Sequence, residues 1–111
     1  MADAIDQFPA PNRLIHEPAR LAILTVLSSC HSADFLFLEQ VTALSKGNLS
    51  VQLTNLEAVG LIEIRKELLG KKTHTMVTLT NLGRDEIKSY WQTMDQLRSY
   101  RVAPLKPQES F

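Results

Sequence analysis

Residues 44–79 read LSKGNLSVQLTNLEAVGLIEIRKELLGKKTHTMVTL, and the hydrophobic period changes part way along them. Leu49, Leu53 and Leu56 recur at intervals of four and three, which stacks them on one side of a helix. Past Gly60 the period falls to two. Ile62 and Ile64 alternate with charged residues and Val77 and Leu79 with hydroxylated ones, the pattern of two half-buried strands. A helix over 46–59 followed by a hairpin over 62–79 is therefore expected. Ser45 is placed to cap the helix, its hydroxyl accepting from a free first-turn amide. Gly60 supplies the left-handed residue that ends it. The turn region of the hairpin is Leu68-Leu69-Gly70-Lys71-Lys72-Thr73-His74.

The side of this helix away from its leucines carries almost no charge: Gly47, Asn48, Val51, Thr54, Asn55 and Ala58, with Ser50 and Gln52 on the flanks. A solvated helix face more often carries Glu and Lys. Short amides, hydroxyls and a methyl-bearing side chain match base edges in a major groove, where Asn and Gln bond adenine in bidentate fashion and Val51 can meet a thymine methyl. The hairpin tip is basic. Lys71 and Lys72, with Arg65 and Lys66 behind them, are candidates for phosphates beside such a groove.

Upstream, a first helix is expected over 12–29, with Pro18 in the first turn of its main section and a short preliminary turn before it. Leu24 and Leu27, with Ile23 and Arg20 alongside, form its core-facing stripe. Residues 30–34 have the composition of a loop, Phe35-Leu36 reads as a short extended piece, and a second helix follows over 37–44 with Leu38, Val41 and Leu44 at spacings of three. Downstream, Thr80 caps a last long helix from Asn81 to Leu97 or Tyr100. Ile87, Tyr90, Trp91, Met94 and Leu97 run along one face of it, more apolar surface than a small domain needs for its own core, and so are candidates for a two-fold dimer interface, the alternative being that the stripe packs on this chain's first helix. Residues 1–11 and 101–111, with their prolines, read as a flexible arm and a flexible tail around one domain over 12–100.

Length and composition fit that organisation. With 111 residues, 44% hydrophobic and 22% charged, the chain has room for one domain and little for a separate catalytic module. Its formal net charge is zero, so nucleic-acid binding has to rest on where charges lie. Residues 1–45 carry two basic and five acidic side chains, residues 46–84 six and three, and residues 85–111 four of each, which puts the positive excess on the segment quoted above. Cys30 is the only cysteine, so no intrachain disulfide forms and a reducing cytoplasm fits. No apolar run is long enough to span a bilayer, and Asp3 and Asp6 stand where a signal peptide has basic residues; a soluble, unexported protein is expected.

Residues 45–62, from Ser45-Lys46-Gly47-Asn48 to Val59-Gly60-Leu61-Ile62, resemble the recognition helix and first wing strand of small winged helix-turn-helix regulators of the MarR and ArsR kind. Gly70-Lys71-Lys72-Thr73 is similar to their wing tip, Leu79-Thr80-Asn81-Leu82-Gly83-Arg84 to the opening of their last helix, and Glu17-Pro18-Ala19-Arg20 with Ile23-Leu24 to their first. The resemblance covers roughly residues 12–97. It implies a mainly α fold with a small β-hairpin, a winged helix-turn-helix with a long C-terminal dimerisation helix. It also implies a homodimer on an inverted-repeat operator of double-stranded DNA, its recognition helices one helical turn apart. By position the groove candidates are Asn48, Ser50, Val51, Gln52, Thr54 and Asn55. Lys46 is a phosphate candidate at the helix N-terminus, and Arg65, Lys71, Lys72, Thr73 and His74 are candidates on the wing. Many relatives carry Arg, Lys or His where this helix has Val51, Gln52 and Asn55.

Other function classes find less in the sequence. No Gly-rich phosphate loop, nucleophile motif or carboxylate cluster with a histidine marks an enzyme. Cys30 and His31 are adjacent, poor geometry for one metal, and His16 and His74 lie far off, so neither metal nor cofactor is expected. A small-molecule effector would sit between the last and first helices at the dimer interface. The rival reading is a winged helix used for protein–protein interaction without sequence-specific DNA binding, its uncharged helix face and Leu68-Leu69 covered by a partner.

Overall fold

In the computed structural model, which describes residues 8–102, the chain runs α1 (Pro18–Ser28), β1 (Ala33–Asp34), α2 (Phe35–Thr42), α3 (Lys46–Ala58), β2 (Ile62–Leu69), β3 (Lys72–Leu79) and α4 (Asn81–Ser99). The expected arm over 1–11 and tail over 101–111 fall mostly outside the described residues. At their inner edges, Phe8 packs edge-on against Tyr100 with ring centroids 5.0 Å apart.

The main section of the first helix begins at Pro18, as its placement in the first turn implies, and the stretch from residue 12 is a separate turn rather than helix. Pro18 disfavours helical backbone at the residue before it, and Glu17 is extended (φ −146°, ψ 132°) and caps the helix by accepting from the Arg20 N–H at 2.8 Å. Residues 12–17 form a separate turn, in which Asn12 accepts from the Leu14 amide with its side chain and from the His16 amide with its carbonyl. That turn buries Ile15 completely in the core beside Ile23, Leu24 and Leu27.

The second helix is shifted. Residues 33–34, not 35–36, are the extended piece, and they form a strand because they pair with β3 (Ala33 with Val77, Asp34 with Met76). Asp34 then caps α2, accepting from the Phe37 amide at 2.7 Å, so Phe35 and Leu36 are already helical. Ala43, at φ 60°, ends α2 before Leu44. Of the expected stripe, Leu38 is buried and Leu44 half-buried, while Val41 is 52% exposed.

From Ser45 onward local chemistry and observed structure agree closely. The Ser45 hydroxyl accepts from the Asn48 N–H at 3.1 Å. Leu49, Leu53 and Leu56 are buried. At the other end Gly60 has φ 80°, its N–H reaches the Glu57 carbonyl, and the Leu61 N–H reaches the Leu56 carbonyl. These are the two bonds of a Schellman motif. The hairpin is tighter than the seven-residue turn region suggests. Leu69 pairs with Lys72, which leaves a two-residue loop, Gly70-Lys71, with positive φ at Gly70 only, the arrangement of a II′ turn. Leu68, Leu69, Thr73 and His74 all belong to the strands.

The sheet is antiparallel in the order β1-β3-β2, with Ile62, Val77 and Leu79 facing a core shared by all four helices. Thr80 joins the start of α4 to the end of α3: its hydroxyl donates to the Gly60 carbonyl (2.6 Å) and accepts from the Gly83 N–H, while its own N–H bonds the Leu61 carbonyl. Among the described residues, no helix is long and apolar enough to cross a membrane.

Candidate nucleic-acid interface

The leucine stripe fixes which side of α3 looks outward. With Leu49, Leu53 and Leu56 in the core, Lys46, Gly47, Asn48, Ser50, Val51, Thr54, Asn55 and Ala58 are exposed. Five of the six groove candidates therefore share one accessible surface. Gln52, the sixth, is half-buried at its edge, with Oε1 accepting from Arg20 (3.0 Å) and Nε2 donating to Asn48 Oδ1 (3.2 Å). Lys46 stands in the first turn, next to amides that have no helical partner of their own.

The wing is tied to this helix by a side chain that sequence reasoning passed over. β2 is the outer strand of the sheet, and Glu57 on α3 accepts the Ile64 N–H through Oε2 at 3.1 Å. This bond covers an edge donor and joins the helix to the first strand of the wing. Glu57→Ala is expected to cost about 1 kcal/mol, the net worth of one such bond, and to speed exchange of the Ile64 amide in hydrogen-exchange NMR. An unchanged rate would show that the bond does not hold the wing.

The wing candidates do not form one surface. Strand alternation sets Arg65, Lys72 and His74 on one face and Thr73 on the other, with Lys66 and Leu68 beside it, while Lys71 is in the loop. Carboxylates already occupy two of them. Arg65 lies 3.9 Å from Glu63 and 3.4 Å from Glu67, and His74 Nδ1 lies 3.4 Å from Asp34. Among the described residues, no carboxylate comes within ion-pair distance of Lys46, Lys66, Lys71 or Lys72. The positive charge open to a phosphate is thus lysine at the wing tip and at the start of α3. Leu68 and Leu69 extend past the end of the core and are 71% and 53% exposed.

The apolar stripe of α4 divides. Ile87 and Tyr90 are buried in this chain's own core, and the Tyr90 hydroxyl lies 2.8 Å from His16 Nδ1. Trp91 is 45% exposed, and Met94 and Leu97 are half-buried.

A cavity of about 260 Å³ lies between the start of α2 and the wing, lined by Asp34, Phe35, Leu36 and residues 72–75, away from the contact of α1 with α4 where an effector was expected. Among the described residues, no three His, Cys, Asp or Glu side chains form a group suited to a metal ion.

Residues 19–98 match the family model of a winged helix DNA-binding domain. An uncharacterised protein of Methanocaldococcus jannaschii is 29% identical over 85 residues, which cover 77% of this chain and 92% of that protein. Among solved structures, a transcriptional regulator homologue from Pyrococcus horikoshii superposes with a TM-score of 0.75 at 26% identity, covering 79% of this chain and 87% of that one. A MarR-family transcriptional regulator from Silicibacter pomeroyi gives a TM-score of 0.62 at 26% identity over 87% of this chain and 64% of that one.

Proposed function

The chain belongs to the winged helix DNA-binding family, and we propose that it is a transcriptional regulator that acts as a homodimer on an inverted-repeat operator. In this reading α3 of each protomer enters the major groove with Asn48, Ser50, Val51, Thr54 and Asn55 toward base edges, and the wing reaches the flanking backbone. The observation that carries the reading is the pairing of surfaces: an exposed, nearly uncharged face on α3, held by Glu57 to a wing whose tip lysines face no carboxylate. The uncharged face supplies donors, acceptors and a methyl group rather than charge. Electrostatic affinity therefore falls to Lys46, Lys66, Lys71 and Lys72. A small-molecule effector at the dimer interface would act by moving the two α4 helices and with them the spacing of the α3 pair, and a regulator of this kind works in the cytoplasm.

The test is binding to random duplex DNA over a range of salt. Affinity is expected to fall steeply with salt, and Lys71→Ala with Lys72→Ala to flatten the logarithmic slope by about one for each phosphate that no longer meets a lysine. Absence of binding at low salt would sink the reading in favour of a protein partner on the α3 face and on Leu68 and Leu69.

A further inference from the structure

Arg20 sits on α1 with its side chain only 18% exposed, and its guanidinium links two elements that are distant in sequence. Nε donates to the Leu14 carbonyl and NH1 donates to Gln52 Oε1 at 3.0 Å. Guanidinium has donors and no acceptor. The end of the Gln52 carboxamide that faces Arg20 must therefore be its oxygen, which turns Nε2 toward the open side of α3. There Nε2 donates to Asn48 Oδ1, one helical turn earlier, at 3.2 Å. That bond in turn holds the Asn48 oxygen toward Gln52 and leaves the Asn48 NH2 as the outward end of an exposed side chain. A cation on another helix thereby fixes which way round two amides point, although each amide alone would serve equally well as donor or acceptor.

Resting on the DNA-reading function proposed above, we infer that Arg20 is a positioning residue that sets the polarity of base readout. Through Gln52 it makes Asn48 a hydrogen-bond donor to the groove. Asn48 is the third residue of α3, and the N-terminal residues of a recognition helix are the ones that reach base edges. With its NH2 directed at the exocyclic edge of a base, Asn48 then meets a group that accepts, guanine O6 or thymine O4, rather than an amino group, whereas purine N7 would accept from it in adenine and guanine alike. The fold alone asks only that α1 hold α3; it does not ask that Gln52 be an amide.

Gln52→Glu separates these roles. Glutamate keeps the bond to Arg20 and adds charge to it, but its second oxygen accepts where Nε2 donated, so Asn48 has to turn its NH2 inward and its oxygen outward. Selection of preferred duplexes from a random pool is expected to move the preference at one base pair of each half-site from guanine or thymine to cytosine or adenine. The swing should be about twofold to fivefold, at or below the low end of what a bidentate contact discriminates, because the Asn48 NH2 makes a single bond. The other positions are expected to stay as in the wild type. Asn48→Ala is expected to erase the preference at that same base pair while random-duplex binding persists. A wild-type preference that survives Gln52→Glu, or one that Asn48→Ala leaves intact, overturns the relay and leaves DNA binding standing. Wild-type protein that binds no duplex at low salt overturns both.

Discussion

Gly83→Ala is expected to destabilise the fold by about 3 kcal/mol or more, the upper range for forcing extra atoms into a packed site. In a helix the same exchange ordinarily stabilises by roughly 1 kcal/mol, because alanine is the better helix former. Here a Cβ on Gly83 would overlap the Leu61 carbonyl oxygen and come within 3.0 Å of its carbon and 2.9 Å of Leu79 Cδ2. The carbonyl has no way to retreat. It accepts from the Thr80 N–H, the Leu61 N–H is bonded to Leu56, and the Leu61 side chain is buried. Gly47, also helical, supplies the control, since nothing lies within 4 Å of the position its Cβ would take. Gly47→Ala is expected to raise stability by about 0.5–1 kcal/mol. Thermal unfolding separates the two by sign, at roughly 4–8 °C per kcal/mol for a domain of this size. A Gly83→Ala protein that melts at or above the wild type would show that α4 and the α3–β2 turn are not in close contact.

That site also shows what kind of information the sequence carries. The Leu79-Thr80 and Gly83-Arg84 pattern can be recognised in one dimension, but its reason is a contact with a carbonyl more than twenty residues upstream. Features made by neighbours along the chain were readable: the Ser45 cap, the leucine spacing of α3, the Gly60 termination and the alternation in the hairpin all follow from residues within a few positions of each other. Features made by distant partners were not. Ala33 and Asp34 are a strand only because β3 pairs with them, Ile15 is core despite lying in no helix or strand, and Arg20 holds Gln52 from thirty-two positions away. One signal was present and unused: an aspartate directly before Phe35 is a helix cap, and it places the start of α2 correctly.

The candidate site divides along the same line. Exposure of Asn48, Ser50, Val51, Thr54 and Asn55 follows from the leucine period, and the carboxylates beside Arg65 follow from strand alternation, whereas the one beside His74 depends on the pairing of β1 with β3. Strand alternation alone would have separated Thr73 from Lys72 and His74.

Trp91→Ala is expected to turn a dimer into a monomer and to lower operator affinity by about a hundredfold or more, the range forfeited when two linked binding modules become independent. Ile87 and Tyr90 already fill this chain's own core, so their truncation would unfold the protomer and say little about assembly. Trp91 is different because nearly half of it faces solvent although it is the largest apolar side chain on α4. One edge packs against Tyr90, with ring centroids 5.1 Å apart and planes at 79°, and the rest continues with Met94 and Leu97 toward the end of the helix. Met94 packs partly on this chain's own core, but the open side of Trp91 faces solvent within one protomer, whereas a two-fold axis near Trp91 would bury it against its own copy. Losing the indole should therefore weaken assembly far more than folding. Light scattering is expected to read the monomer mass for the variant and twice that for the wild type, with circular dichroism unchanged. Affinity for random duplex should fall less than affinity for the operator, because each monomer keeps its own α3 and wing but engages a single half-site. A variant that stays dimeric would place the axis elsewhere, and wild-type protein that is monomeric at high concentration would overturn the dimer; either leaves the exposed face of Trp91 without a partner.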